Sequence, residues 1–202
     1  MVIDIENFFP SIKDESVQRY VLKVGFPFIV AKQLTDLCTF EGRLPQGAPT
    51  SPMLASIVFS PVDQKLRSLA SSWGAVYTRY ADDLAFSGRR QFSRTDIRRV
   101  SDILRRAGFR TNFAKSRITG AGSRQIVAGL VVNERGLPPR EKRRGWRAMF
   151  HQASRLPGSF VGRSAELRGL ASFVNQYDRE LAKSYFQAAD VVYGLETLNQ
   201  GA

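Results

Sequence analysis

The chain begins with an apolar run, Val2-Ile3-Asp4-Ile5, that is β-branched at three positions and interrupted by one acid. Such a run predicts a short buried strand ending at the acid. From about Ser16 to Phe40 apolar residues recur at helical spacing, and Gly25-Phe26-Pro27 divides them into two helices. Leu44-Pro45-Gln46-Gly47-Ala48-Pro49 is too rich in proline and glycine for regular structure. A helix should follow, with Ser51 as N-cap, Pro52 in the first position, and Met53, Leu54, Ile57 and Val58 on one face. Pro61 should kink or restart it before Val62, Leu66 and Leu69.

The period then changes. Val76-Tyr77-Thr78-Arg79-Tyr80 and Leu84-Ala85-Phe86-Ser87 alternate as strands, bracketed by Gly74 and Gly88, with Asp82-Asp83 at the connecting turn. Ser93 and Asp96 form a variant capping box. Ile97, Val100, Leu104 and Ala107 follow at helical spacing, Gly108 stops the helix, and Arg98, Arg99, Arg105 and Arg106 form its solvated face. Phe113 to Thr119 and Gln125 to Asn133 read as strands, and Gly136-Leu137-Pro138-Pro139 marks a boundary. Beyond it, Arg140 to about Leu198 is helical. Trp146, Met149, Phe150 and Ala153 make one apolar stripe, and Leu167, Leu170, Ala171 and Val174 another. Arg140, Arg143, Arg144 and Arg147 should cluster away from the first stripe.

With 202 residues, 43% of them apolar, the chain can build one large domain or one with a small appendage. Its apolar runs are far too short to span a bilayer, and no signal peptide is visible at Met1-Val2-Ile3-Asp4. A single cysteine, Cys38, excludes an internal disulfide and fits a cytoplasmic protein. The formal charge of +12 lies wholly in residues 73–202, where twenty-three Lys/Arg face eleven Asp/Glu. That asymmetry predicts a polyanionic partner, nucleic acid above all, bound with strong salt dependence.

An Asp-Asp turn usually does no more than solvate a hairpin. A palm-like sheet, however, would set Asp4 beside Asp82 and Asp83. Three carboxylates from two strands can hold a pair of magnesium ions, which suit in-line phosphoryl displacement.

In order along the chain, the motifs resemble those of the reverse transcriptases, and within them the bacterial retron-type branch. Asp4-Ile5-Glu6-Asn7-Phe8-Phe9-Pro10-Ser11-Ile12 is similar to the first catalytic motif, and Leu44 through Pro52 to the loop and helix under the incoming nucleotide. Tyr80-Ala81-Asp82-Asp83 matches the signature acidic turn. Gly108-Phe109-Arg110-Thr111-Asn112-Phe113-Ala114-Lys115 resembles the next motif, and Gln125 to Asn133 the primer-grip hairpin. The resemblance implies an α+β fold: a polymerase palm with an antiparallel sheet and packed helices over residues 1–138, then a small helical thumb over 139–202. It implies two Mg²⁺ ions held by Asp4, Asp82, Asp83 and the Ile5 carbonyl. Lys115 would protonate or stabilise the departing pyrophosphate, Phe9 would be a steric gate against the 2′-hydroxyl, and Gln46 and Gly47 would meet the nucleotide or template. Arg140, Arg143, Arg144 and Arg147 would track a template-primer backbone.

The implied partners are an RNA template, a DNA or RNA primer, deoxynucleotide triphosphates and a structured non-coding RNA. Phe9 and Ala81 speak against an RNA-copying RNA polymerase. Two features depart from the pattern. The family's fingers precede the first motif, which here starts at Asp4, so the alternative is a catalytically incomplete RNA-binding fragment. Ala128 stands where retron-type relatives usually carry threonine, which leaves intron-encoded or defence-associated branches open.

Overall fold

The computed structural model describes residues 1–200, with side chains through Leu198. Helices and antiparallel strands are mixed along the chain, which divides into two compact units, Met1–Ser123 and Arg124–Ala202.

The first unit holds a four-stranded sheet in the order β2-β3-β1-β4, built from β1 (Val2–Glu6), β2 (Val76–Tyr80), β3 (Asp83–Ser87) and β4 (Arg110–Arg117). β1 lies between β3 and β4 and is antiparallel to both. Alternation along β1 sends Ile3 and Ile5 into the core and leaves Asp4 on the opposite face. β1 runs past Asp4 to Glu6, so the acid lies within the strand and not at its end as expected.

Two helices, α1 (Asp14–Val24) and α2 (Phe28–Cys38), flank Gly25, whose φ of +108° suits a residue without a Cβ. α3 (Ser51–Ser72) buries Ala55, Phe59, Val62, Leu66 and Ala70, while Met53 is 73% exposed. The buried stripe is therefore rotated from the face predicted around Met53. Pro61 sits inside α3 without ending it. An internal proline costs about 3 kcal/mol. Burial of Phe59, Val62 and Leu66 offsets it, at roughly 1.5–3 kcal/mol each. Ser51 is not the N-cap. Thr50 holds that place, and the buried Ser51 Oγ donates to the Pro45 carbonyl at 2.6 Å, tying the preceding loop to the helix.

α4 (Arg94–Arg106) starts at the expected capping box: the Ser93 N–H donates to Asp96 Oδ2 at 2.8 Å, and Arg90 donates to the same oxygen at 2.7 Å. Ile97, Val100 and Leu104 are buried, and the four predicted arginines are exposed.

The second unit starts with a short hairpin, β5 (Ile126–Val127) and β6 (Leu130–Val131). The two turn residues, Ala128 and Gly129, have φ of +46° and +78°, the left-handed conformation that tight hairpins require. The hairpin belongs with the helices that follow it: Arg124 pairs with Glu141 at 3.1 Å, and Val131 bonds in both directions with Leu137. Three helices complete the unit, α5 (Arg140–Arg155), α6 (Ser164–Asn175) and α7 (Arg179–Gln200). Their core includes Phe150, Ala153, Leu167, Ala171, Val174 and Val192, and Trp146, Met149 and Leu170 of the predicted stripes pack against it half-buried. No helix is long and apolar enough to cross a membrane among the described residues.

Candidate active site

Asp4 and Asp83 are direct partners across the β1–β3 pair. The Ile5 N–H donates to the Asp82 carbonyl at 3.0 Å, which pins the turn to the centre of the sheet. Asp4 and Asp83, distant in sequence, thus face each other at one sheet end, with Asp82 next to them in the turn. The two-residue turn is tight, with Tyr80 paired to Asp83 and Ala81 at φ +50°. An alanine in the left-handed region needs its surroundings to hold it there.

That support comes from Arg79, which sequence reading did not single out. Its Nη1 donates to the Ala81 carbonyl at 3.2 Å, and its other nitrogens bind both Asp63 oxygens, at 2.9 and 2.8 Å. The Tyr77 hydroxyl donates to Asp63 at 2.6 Å. The guanidinium also lies over the rings of Phe59 and Phe8, 4.9 and 5.8 Å from their centroids. Only the Arg79 alternation in β2 and the lone acid on α3 hinted at this, and neither names a partner.

On the other side of β1, the register between β1 and β4 shifts between Val2 and Asp4. The irregularity brings Ser116 and Lys115 to Asp4. The Asp4 N–H donates to Ser116 Oγ at 3.4 Å, Ser116 Oγ donates to the Asn112 carbonyl at 2.7 Å, and Lys115 Nζ lies 4.0 Å from Asp4 Oδ2. Lys115 is otherwise exposed, whereas Asp4 is buried.

The electrostatics match the crowding. Burial pushes the Asp83 carboxyl above its ordinary value, and the negative charges of Asp82 and Asp4 push it further, against the pull of Arg117 and Lys115. A cation would relieve this repulsion. The donors are all oxygens, the set that suits magnesium. Among the described residues no group of three or more His, Cys, Asp or Glu side chains is placed to hold a metal ion. An open set suits an ion that takes one or two carboxylates and completes its shell with substrate phosphates and water. The Ile5 side chain is in the core, so only its backbone can contribute. Because N–H and C=O of an extended residue point toward the same neighbouring strand, its carbonyl lies on the Asp82 side.

The remaining predicted residues lie apart from this cluster in bonding terms. Phe9 opens a single 3-10 turn (Phe9–Ser11) and is half-buried, its ring 5.4 Å from that of Phe8. Gln46 and Gly47 are exposed, Gly47 has φ +92° with open space around it, and neither bonds to the carboxylates among the described residues. The arginines of α5 require a correction. Arg143 and Arg147 line a cavity together with Trp146 of the apolar stripe, so they flank that stripe and do not oppose it. Arg140 and Arg144 are exposed.

The sequence pattern of the reverse transcriptase (RNA-dependent DNA polymerase) family matches residues 1–144, well over half of the chain. The chain belongs to the reverse transcriptase family. Its relatives also settle the branch. It is similar to the Retron Ec86 reverse transcriptase of Escherichia coli, 33% identical over 98% of this chain and 62% of that protein. It is also similar to two Myxococcus xanthus proteins. One is the Retron Mx65 reverse transcriptase, 34% identical over 90% of this chain and 47% of that protein. The other is the Retron Mx162 reverse transcriptase, 32% identical over 91% and 45%. This reverse transcriptase is thus retron-type despite Ala128, and it spans about half to three-fifths of the length of these relatives.

Proposed function

We propose that the protein is an RNA-directed DNA polymerase that extends a DNA or RNA primer with deoxynucleotides on an RNA template. The observation that carries this reading is the opposition of Asp4 and Asp83, with Asp82 tied to Ile5, in a chain of this family. Residues 1–138 serve as palm and 139–202 as thumb in this reading. In this reading the template is a structured non-coding RNA, and the single thiol accords with a cytoplasmic setting.

The geometry supports a division of labour. Asp4 and Asp83 are set by neighbouring strands, so their separation is a property of the sheet and needs no reorganisation during catalysis. Asp4, Asp82, Asp83 and the Ile5 carbonyl would hold two Mg²⁺ ions. When bound, magnesium supplies positive charge that activates the primer 3′-hydroxyl and offsets charge on the leaving pyrophosphate. Lys115, beside Asp4 yet solvent-facing, can deliver a proton to that leaving group. Phe9 sets an aromatic wall against a ribose 2′-hydroxyl, and Gln46 and Gly47 offer a polar side chain and an unobstructed backbone to the nucleotide or template. Arg140 and Arg144 meet the backbone of the nucleic acid from α5.

Primer extension on an RNA template with deoxynucleotides and magnesium tests the reading. Asp82→Asn should abolish extension, as should chelation of the metal. Full activity in Asp82→Asn would overturn the metal assignment. Template-primer binding without extension by the wild-type protein would favour an RNA-binding chain that does not polymerise.

A further inference from the structure

The second unit contains a bowl of about 360 Å³, within the range of small-ligand sites. Its wall is aromatic: the half-buried Trp146 from α5 and Tyr177 from the α6–α7 connection, while Tyr185 of α7 borders it but is only 5% exposed. Each ring is braced from behind. Trp146 and Tyr177 both meet Phe173 edge-on, at 5.7 and 6.1 Å, and Tyr185 stacks on Phe150 at 3.8 Å. The wall is therefore pre-organised, and a flat ligand laid on it orders little new.

Three guanidiniums, Arg135, Arg143 and Arg147, also line it, together with Leu137 and Leu181. Elsewhere in this unit Arg124, Arg163 and Arg168 are neutralised by Glu141, Glu166 and Asp190. Arg135, Arg143 and Arg147 form no ion pair among the described residues. Arg143 is nonetheless held in place, its Nε donating to the Pro138 carbonyl at 3.1 Å. The lining has one carboxylate, Asp178, one oxygen of which already accepts the Leu181 N–H. Uncompensated positive charge beside rigid π-faces suits a ligand that is aromatic and anionic at once.

We propose that this bowl binds one unpaired nucleotide of an RNA strand, its base against Trp146 and Tyr177 and its phosphate on Arg143, Arg147 and Arg135. Stacking gives affinity for any base, and the Asp178 carboxylate, which can accept from an exocyclic amino group, adds a preference for A, C or G over U. Its lining shares no residue with the carboxylate cluster. The choice of an RNA strand over other aromatic phosphates rests on the polymerase reading above.

The test uses the full chain carrying Trp73→Phe, which leaves Trp146 as the sole tryptophan reporter. A single-stranded RNA of about five nucleotides should quench Trp146 saturably, and an abasic strand of equal length should bind about tenfold more weakly. Tyr177→Ala should cost a similar factor, Tyr177→Phe should bind as the parent does, and Arg147→Gln should weaken binding and flatten its salt dependence. Because Tyr177→Phe and Arg147→Gln leave the aromatic core in place, a folding defect in Tyr177→Ala would not spare the proposal. Free AMP is the second arm. Saturation by AMP at the strand's affinity would support the same chemistry with a free nucleotide as its source. Equal affinity of abasic and base-bearing strands would overturn the proposal, leaving only a basic surface. Asp82→Asn should bind the strand normally while losing extension, so loss of polymerase activity and loss of this site are told apart.

Discussion

Arg79 grips Asp63 through two parallel hydrogen bonds, Nε to Oδ1 at 2.9 Å and Nη2 to Oδ2 at 2.8 Å, and spends its remaining nitrogen on the Ala81 carbonyl. The pair is largely buried, with side chains 11% and 17% exposed. It joins α3 to the acidic turn, so the position of Asp82 depends on a helix that carries no site carboxylate.

A lysine at position 79 keeps the charge and loses the planar fork. Arg79→Lys is therefore expected to fold, and to lower the rate of nucleotide addition by about 10- to 100-fold, as disruption of outer-shell partners commonly does. The distinguishing measurement is magnesium dependence. The half-saturating concentration should rise, whereas an unchanged metal response would assign Arg79 to stability alone.

Phe9 is only half-buried against Phe8, so part of its ring is open to a ligand. Phe9→Ala should admit ribonucleotides, reducing the preference for deoxynucleotides by about tenfold or more, with deoxynucleotide incorporation largely kept. Competing incorporation of the two nucleotide types on one template reads this directly. Unaltered discrimination would return Phe9 to the core.

The capping box of α4 gives a pH-dependent term. Burial alone would push the Asp96 carboxyl up, but the Ser93 N–H and hydroxyl and the Arg90 guanidinium outweigh it and hold the group below its ordinary value. A lowered carboxylate contributes stability that is present above its unfolded value, near pH 4, and is lost as pH falls through the lower folded value. Asp96→Ala should cost about 1–2 kcal/mol near neutral pH, and the difference from wild type should shrink below about pH 4. Urea titrations across that range would show it. A gap independent of pH would mean that packing, not charge, is lost.

Thr111 in β4 carries a buried hydroxyl with no hydrogen-bond partner among the described residues. Replacing it with the nearly isosteric valine removes the desolvation cost and should raise stability by about 1 kcal/mol or more. Thermal unfolding measures this, and a clear drop in the midpoint would reveal an unrecognised partner of the hydroxyl.

The sequence by itself determined what local chemistry encodes. The Ser93–Asp96 box, the two helices on either side of Gly25 and the α5 and α6 stripes depend on residues a few positions apart, so spacing alone was enough. The carboxylates Asp4, Asp82 and Asp83 were legible because each sits in a motif that the family keeps in order. Tertiary packing decided the rest. Asp63 and Arg79 are sixteen residues apart on a helix and a strand, and each looks like an ordinary surface charge until α3 packs on β2. Pro61 predicts a kink or a restart because its missing N–H is a local cost, while the burial of Phe59, Val62 and Leu66 that offsets it is not local. Helical spacing already puts Arg143, three residues before Trp146 and seven before Phe150, on the side of the apolar stripe. The bowl that it lines with Arg147 exists only because Tyr177 and Tyr185 arrive from some thirty or more residues later in the chain, and no period within one helix carries that information.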